Sequence, residues 1–303
     1  MIDTLTRRSL LLSSAAVLGM QRLAIAKSRI TKTRISAVTD EIGPTQTEAV
    51  AAAKQSALQW VDLRNVPGSK NEFAFLSEPE LRRYASELAA NKLKVSLLRT
   101  SLLKFPWPEL SPADPDLESN RKRWDRRKDD LSRAVSAAQI LGVDKIAIFT
   151  GTRVTTPEKA CPVIAKALDE LAPVAEAAKV RLLIENQPTQ NIGSCAELKA
   201  VMDLVMSKAI GFSWDPYSAA VLDETSPWTD GYARLPKARM GNVQVQAEGL
   251  SDGPQWINWR KVMEALERDG YSGQISVATK NSNGTFEKTN DSIREVMHIV
   301  GEL

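Results

Sequence analysis

The sequence predicts an α/β protein with one domain, a (β/α)₈ TIM barrel. Short apolar runs alternate with amphipathic helical stretches from Ile35 to the end of the 303-residue chain. Eight such runs occur in a row, which favours a closed barrel over an open doubly wound sheet. No glycine-rich phosphate loop follows any of these runs, and this counts against a nucleotide-binding sheet.

The predicted strands are short and apolar, as parallel strands are when both of their faces are buried. In chain order they are Ile35–Thr39, Trp60–Leu63, Val95–Leu98, Lys145–Phe149, Arg181–Ile184, Gly211–Trp214, Asn242–Val245 and Gln274–Val277. Stretches with a helical period separate the strands and form the outer layer of such a barrel. They are Gln46–Ala57, Glu78–Ala90, Lys128–Leu141, Pro157–Ala178, Ala196–Met206, Trp259–Arg268 and Glu287–Val300.

Two connections are too long for plain barrel loops, and they are the predicted substrate loops. Ser101–Trp124 follows the third strand and Pro216–Met240 follows the sixth. Loops at the carboxyl ends of barrel strands are where this fold builds its substrate sites. Trp107, in the first of these loops, has two open interpretations. Its ring either stacks on the C–H face of a sugar or packs against the barrel rim.

Three of the apolar runs lead into a polar side chain that can bind a metal ion. Glu185, Asp215 and Gln244 stand at these positions on strands five, six and seven. Because the carboxyl ends of barrel strands share one face, the three side chains are expected to converge at the barrel mouth. All three offer oxygen, so the sequence favours Mn²⁺, Mg²⁺ or Ca²⁺ over Zn²⁺.

Residues 1–26 have the pattern of a twin-arginine export signal. Arg7 and Arg8 precede an apolar stretch, and Ala24-Ile25-Ala26 offers small residues at a cleavage point. The apolar stretch is shorter than the roughly 20 residues that span a bilayer, so no stable membrane insertion is expected after cleavage. The sequence therefore predicts a periplasmic or extracellular protein whose barrel occupies residues 27–303.

The charge balance of the barrel argues against nucleic acid as a partner. Removal of residues 1–26 leaves 37 basic and 36 acidic residues, so no polyanion-binding surface is predicted. Cys161 and Cys195 are the only cysteines, and both are predicted to be unpaired thiols near helix starts. The oligomeric state is not predicted, because no exposed apolar stripe stands out from the barrel helices.

Several motifs carry a resemblance to a known family. They are Thr39-Asp40-Glu41-Ile42, Val61-Asp62-Leu63-Arg64, Leu183-Ile184-Glu185-Asn186, Trp214-Asp215-Pro216, Val243-Gln244-Val245-Gln246 and Asp269-Gly270-Tyr271-Ser272-Gly273. In their order and spacing they resemble the xylose isomerase-like barrel superfamily, in particular its sugar phosphate isomerases and epimerases. The resemblance extends from Ile35 to Leu303.

The resemblance implies a sugar isomerase or epimerase that uses a divalent metal to stabilise an enediolate. In such relatives the metal is held by side chains at the ends of strands five to eight, and the first three positions match Glu185, Asp215 and Gln244. Glu185 is also a candidate catalytic residue. A small-molecule carbohydrate is the implied partner. Zinc endonucleases of the same superfamily use several histidines, whereas this chain has only His298.

The fourth metal position departs from the family pattern. Strand eight carries Ala278 where relatives tend to have a glutamate, and alanine neither binds metal nor transfers a proton. In one interpretation the site remains catalytic, with Lys280, Glu248 or Glu41 as acid and base, and its cation is either bound weakly or lost. In the other, the barrel binds a sugar or a partner without turnover. Ala278→Glu is expected to strengthen metal binding.

Six residues are predicted to bind the substrate, because they lie in these motifs or at strand ends near the rim. They are Glu41, Arg64, Lys104, Trp107, Asn186 and Gln246. Arg64 directly ends a strand, and Lys104 is followed by Phe105-Pro106-Trp107. Arg99, Arg153 and Lys280 are further basic residues near the rim. A structural alternative is that Glu185 and Asp215 form ion pairs with Arg64, Arg153 or Lys280.

Overall fold

The structure is a computed structural model that describes residues 29–222, 224, 226–250, 257–279 and 286–303. The predicted export signal and the candidate catalytic residue Lys280 lie outside the described residues. No helix in the described part of the chain is long and apolar enough to cross a bilayer.

Eight parallel strands close into a barrel in which β8 pairs with β1. The strands are β1 Ile35–Val38, β2 Trp60–Leu63, β3 Lys94–Arg99, β4 Lys145–Ile148, β5 Arg181–Glu185, β6 Ile210–Trp214, β7 Met240–Gln246 and β8 Gln274–Ala278. The predicted (β/α)₈ fold is confirmed, and every predicted strand end lies within two residues of the observed one.

Helices cover the outside of the barrel. They are α1 Gln46–Gln55, α2 Glu78–Ala90, α3 Leu117–Asp125, α4 Arg127–Leu141, α5 Pro157–Ala178, α6 Cys195–Leu204, α7 Pro216–Val221, α8 Tyr232–Arg234, α9 Trp259–Arg268 and α10 Phe286–Gly301. Local chemistry fixes several of their ends. The Ser194 hydroxyl accepts a hydrogen bond from the backbone N–H of Glu197 at 3.1 Å, which caps the start of α6. Gly142, with φ of +69°, ends α4 in the left-handed conformation that glycine adopts easily.

Several predicted boundaries differ from the structure. The first long connection contains α3, and the second contains α7 and α8, so neither is simply a loop. Helix α1 ends two residues earlier than predicted because Ala57 has a φ of +53°, which a right-handed helix cannot include.

The barrel interior combines a small apolar cluster with a chain of polar side chains. Leu97, Ala147 and Leu183 are fully buried and separate from the main core between strands and helices. Glycine at position 241 makes room for Leu183, because an added Cβ there would lie 2.7 Å from Cδ2 of that leucine. Cys161 and Cys195 are buried free thiols, as predicted.

Candidate functional site

The candidate site lies at the carboxyl ends of the strands. Glu185 is the last residue of β5, Asp215 directly follows β6, and Gln244 lies in β7 two residues before its end. A cavity of about 460 Å³ opens at this face. Its described lining residues are Val38, Glu41, Arg64, Arg99, Lys104, Glu185, Gln187, Pro188, Thr189, Gln244, Gln246, Ala278 and Thr279. The volume is within the range of small-molecule sites.

Glu185 and Gln244 converge on the guanidinium of Arg99, the last residue of β3. Nη1 of Arg99 donates to Oε2 of Glu185 at 2.7 Å and to Oε1 of Gln244 at 2.6 Å. Both side chains of the Arg99–Glu185 pair are almost completely buried, with 6% and 5% exposed. The predicted convergence of strand ends five and seven is therefore present, but the group that they share is a guanidinium.

Asp62 of β2 holds the other edge of the Arg99 side chain. Nε of Arg99 donates to Oδ2 of Asp62 at 2.9 Å, and Oδ1 of Asp62 accepts from Ser36 and Ser96 inside the barrel. Ser36 is in turn hydrogen-bonded to Ser276 of β8 at 3.1 Å. These bonds join β1, β2, β3 and β8 beneath the cavity, so Arg99 is anchored from below as well as from the side.

Arg99 has five N–H donors, and three of them are used in these contacts. Nη2 is buried and has no hydrogen-bond partner among the described residues. A buried donor without a partner costs about 1–3 kcal/mol. Burial acts to lower the pKa of Arg99, but Glu185 and Asp62 more than offset that effect and raise it, so the guanidinium is charged.

Asp215 is occupied by hydrogen bonds from its own neighbourhood. Oδ2 accepts from Oγ of Ser218 at 2.6 Å and from Nε2 of Gln246 at 2.9 Å, with Nε2 of Gln244 at 3.4 Å. Oδ1 accepts from the backbone N–H of Ser218 at the start of α7. Burial raises the pKa of Asp215, and the bonds from Ser218 and Gln246 oppose that rise.

Glu41 follows β1 in the 3₁₀ turn Thr39–Glu41, and both of its oxygens have partners. Oε1 accepts from Nη1 of Arg64 at 2.8 Å, and Oε2 accepts from the backbone N–H of Thr279 at 2.6 Å. Burial raises the pKa of the Glu41 carboxyl to about 7, against the opposing effect of Arg64. A carboxyl with such a pKa can both accept and release a proton near neutral pH.

Arg64 and Lys104 both reach the cavity, as predicted. Arg64 also bonds Oδ2 of Asp40 at 2.8 Å, so it bridges two acidic residues of the first strand end. The ammonium of Lys104 lies 4.3 Å from the ring centre of Phe149. Partial removal from water lowers the pKa of Lys104, while the charge of Glu185 opposes that change.

Trp107 does not line the cavity, and the sugar-stacking interpretation of this residue is wrong. Its side chain is fully buried, its Nε1 donates to the carbonyl of Leu103 at 3.0 Å, and its ring packs on Trp124 with centroids 4.8 Å apart. An added Cβ at Gly151 would lie 2.9 Å from the ring, which shows how closely the backbone covers it. Trp107 is a packing residue of the rim.

Asn186 is also unavailable to a substrate. It is fully buried, and its Nδ2 donates to the carbonyls of Gly193 and Asp215 at 2.9 and 2.8 Å. Its Oδ1 accepts from the backbone N–H of Asp215 at 2.8 Å. The side chain thus ties the end of β5 to the end of β6, and its predicted role in substrate binding is replaced by a structural one.

Gln246 and Ala278 face each other across the last two strands, where they are partners in the register of β7 and β8. Both line the cavity, as expected for the predicted substrate residue and for the altered metal position. Oε1 of Gln246 is buried without a hydrogen-bond partner among the described residues. This oxygen is therefore an unsatisfied acceptor on a residue that lines the cavity.

The described residues do not fit a divalent metal. Glu185 and Gln244 both direct an oxygen to Arg99, Asp215 already accepts from Ser218 and Gln246, and Ala278 offers no ligand. The described part of the chain contains no group of three or more His, Cys, Asp or Glu side chains placed to hold a metal.

Arg99 is the cation beside Glu185, and it was not among the partners expected from the sequence. Of the expected residues Arg64, Arg153 and Lys280, Arg64 pairs with Asp40 and Glu41. Arg153 pairs with Glu197 at 2.7 Å. The available signal was Asp62, a charged residue inside the apolar run of β2, because a buried carboxylate requires a cation nearby.

Comparisons with known proteins agree with the observed fold. A sequence family described as "Xylose isomerase-like TIM barrel" matches residues 50–300. The chain is similar in structure to a D-tagatose 3-epimerase-like protein, with a TM-score of 0.64, 15% identity, and coverage of 89% of this chain and 98% of that one. A search of curated protein sequences gives no significant match.

Two further structures are similar. One is a xylose isomerase-like TIM barrel protein from Mycobacterium smegmatis in complex with magnesium, with a TM-score of 0.66, 15% identity, and coverage of 90% and 98%. The other is an L-ribulose 3-epimerase, with a TM-score of 0.66, 17% identity, and coverage of 89% and 94%.

Proposed function

The chain belongs to the xylose isomerase-like TIM barrel family, and on that premise we propose that it is a sugar isomerase or epimerase. Its ligand is a small carbohydrate or sugar derivative bound in the cavity at the carboxyl ends of the strands. The polar character of the described lining supports a hydroxyl-rich ligand, since Arg64, Arg99, Lys104, Glu41 and Gln246 all contribute to it.

One observation carries the proposal. Two buried polar atoms on residues of the cavity wall, Nη2 of Arg99 and Oε1 of Gln246, have no partner in the described part of the chain. One is a donor and the other an acceptor, and a carbohydrate carries carbonyl and hydroxyl groups that can pair with each kind. Buried polar groups in folded proteins are nearly always paired, which supports a ligand at this position.

The proposed chemistry is proton transfer at a carbon next to a carbonyl group. The carboxylate of Glu41 removes the proton. The electrons of the C–H bond form a C=C bond while the π electrons of the carbonyl group move to its oxygen, which gives an enediolate. Arg99 stabilises the developing negative charge through its guanidinium. Return of a proton to the other face of the same carbon gives an epimer. Protonation of the former carbonyl carbon, with transfer of the neighbouring hydroxyl proton to the former carbonyl oxygen, gives an isomer. We assign the second proton-transfer role to Lys104, because it lines the same cavity as Glu41.

Solvent exchange tests this function. Incubation of the protein with free ketoses, aldoses and uronic acids in D₂O, including D-tagatose and L-ribulose, is expected to place deuterium beside the carbonyl carbon, visible by NMR. Glu41→Gln is expected to abolish the exchange. Arg82→Ala, on the exposed face of α2, is the control that retains it. Absence of exchange across the panel contradicts turnover.

The alternative function is carbohydrate binding without turnover. It is favoured by Ala278, which removes a proton-transfer group, and by the hydrogen bonds that occupy Asp215. Calorimetric binding of a sugar from the same panel, with no deuterium exchange, is the result that selects this alternative.

We also propose that the protein acts outside the cytoplasm. The basis is the twin-arginine pattern of residues 1–26, which lie outside the described residues. An exported enzyme meets free sugars, glycosides and sugar acids more often than phosphorylated sugars. This is why the proposed assay begins with unphosphorylated compounds.

A further inference from the structure

We propose that the guanidinium of Arg99 takes the place of a divalent cation in this barrel. It supplies, from within the chain, the positive charge that Glu185 and Gln244 bind. The native site is then assembled without metal, and a metal site can be recovered only when the charge of Arg99 is removed.

Nη1 of Arg99 lies between an oxygen of Glu185 and an oxygen of Gln244. A divalent ion bound to protein oxygens lies about 2.0–2.6 Å from each of them. Nη1 of Arg99 lies 2.7 Å from Oε2 of Glu185 and 2.6 Å from Oε1 of Gln244. Nη1 therefore lies between these two oxygens at distances only slightly longer than those of a bound ion. An ion placed there would overlap the guanidinium, and the two positive groups would also repel each other.

Arg99 cannot easily move aside. Its Nε donates to Asp62, which is itself completely buried and bonded to Ser36 and Ser96. Withdrawal of the guanidinium leaves that carboxylate without its cation in the barrel interior, which is strongly unfavourable. Asp62 thus holds the positive charge of Arg99 in place beneath the oxygens of Glu185 and Gln244.

The side-chain oxygens of Gln244 and Asp215 already accept hydrogen bonds from the protein. The Gln244 amide turns its oxygen to Arg99 and its nitrogen toward Asp215, at 3.4 Å from Oδ2. Asp215 accepts two bonds from Ser218 and one from Gln246. The oxygens that could bind a metal therefore accept hydrogen bonds from the protein instead. The absence of a carboxylate at Ala278 agrees with this arrangement, because no ion is present that would need it.

This inference changes the expectation for Ala278→Glu. Adding the carboxylate alone provides another acceptor near Arg99 and leaves the cation position filled. Removing the charge of Arg99 in the same protein frees the oxygens of Glu185 and Gln244 beside the new carboxylate. The proposal concerns metal binding only, so its test needs no substrate and does not depend on turnover.

The experiment compares two double variants that differ only at position 99. Arg99→Gln/Ala278→Glu removes the positive charge, whereas Arg99→Lys/Ala278→Glu retains it. Each protein is titrated with Mn²⁺, and free Mn²⁺ is measured by room-temperature EPR. The component lost on adding Glu185→Gln is taken as binding at this site. We expect the charge-free variant to bind Mn²⁺ at least ten-fold more tightly than the charge-retaining one and than Ala278→Glu alone.

The wild-type protein provides the measurement that does not depend on a folded variant. Its Mn²⁺ titration is expected to lack any component that Glu185→Gln removes, and its melting temperature is expected to be unchanged by Mn²⁺ or EDTA. A saturable wild-type component that Glu185→Gln abolishes overturns the proposal. Equal Mn²⁺ affinity of the two double variants overturns it as well. If neither double variant folds, the wild-type titration decides.

Discussion

Nη1 of Arg99 lies 2.7 Å from Oε2 of Glu185, and this contact joins the end of β3 to the end of β5 across the barrel mouth. The same nitrogen reaches Gln244 of β7, and Nε reaches Asp62 of β2. One side chain therefore connects four strands at the site where a ligand enters. The two remaining N–H donors, both on Nη2, have no partner among the described residues.

Replacement of Arg99 is expected to destabilise the protein strongly. Arg99→Ala leaves the buried carboxylates of Asp62 and Glu185 without their cation, and breaking such a buried pair costs about 3–5 kcal/mol. Urea denaturation of the wild type and of Arg99→Ala measures the free energy of unfolding of each protein. Arg82→Ala is the matched control, because the Arg82–Glu78 pair is well exposed and worth less than about 1 kcal/mol. Equal losses for the two variants contradict the central role of Arg99.

Glu41 is expected to make stability depend on pH between its ordinary pKa and its pKa in the folded protein. Burial raises that pKa from 4.5 to about 7, so the folded state holds the proton more tightly than the unfolded state. The favourable contribution of protonated Glu41 to the free energy of unfolding is fully present below pH 4.5 and is lost as the pH rises through 7. A shift of this size corresponds to about 3 kcal/mol.

The Glu41→Gln variant tests this dependence. Its free energy of unfolding, minus that of the wild type, is expected to rise by up to about 3 kcal/mol between pH 4.5 and pH 8. Glu78→Gln, at an exposed position of α2, is the control, and its difference is expected to change by less than about 1 kcal/mol because an exposed ion pair contributes no more than that. A flat difference for Glu41→Gln also means that this carboxyl titrates normally and is unsuited to proton transfer near neutral pH.

Trp107 and Lys104 are neighbours in sequence with opposite expected effects. Trp107→Ala removes a fully buried ring and is expected to cost about 3–5 kcal/mol of unfolding free energy. Lys104→Ala removes an accessible side chain whose contact with Phe149 is worth about 0.5–1 kcal/mol. Urea denaturation of the two variants distinguishes them. A small loss for Trp107→Ala contradicts its role as a packing residue of the rim.

Residues 1–26 are expected to be absent from the exported protein. The full chain is expressed in a bacterium with a twin-arginine pathway, and the periplasmic protein is measured by intact mass. We expect a chain that begins at Lys27, and retention of the precursor in the cytoplasm when Arg7 and Arg8 are both replaced by lysine. A periplasmic chain that still begins at Met1 contradicts cleavage.

The sequence by itself determined the barrel and the level at which its site lies. Apolar runs of four or five residues became strands of four to seven residues, because parallel barrel strands are buried on both faces. Closure in chain order then brought the ends of β5, β6 and β7 together, so Glu185, Asp215 and Gln244 could be grouped from their positions alone.

Only the tertiary structure decided which charges meet there. Arg64 and Arg99 both stand at strand ends, yet Arg64 turns to Asp40 and Glu41 while Arg99 turns inward to Asp62, Glu185 and Gln244. Arg99 and Gln244 are 145 residues apart, so no local pattern relates them. The side chain that enters the barrel mouth is selected by the buried carboxylate beneath it. That carboxylate acquires its position only when all eight strands close, because burial and the loss of water around a charge are properties of the complete barrel.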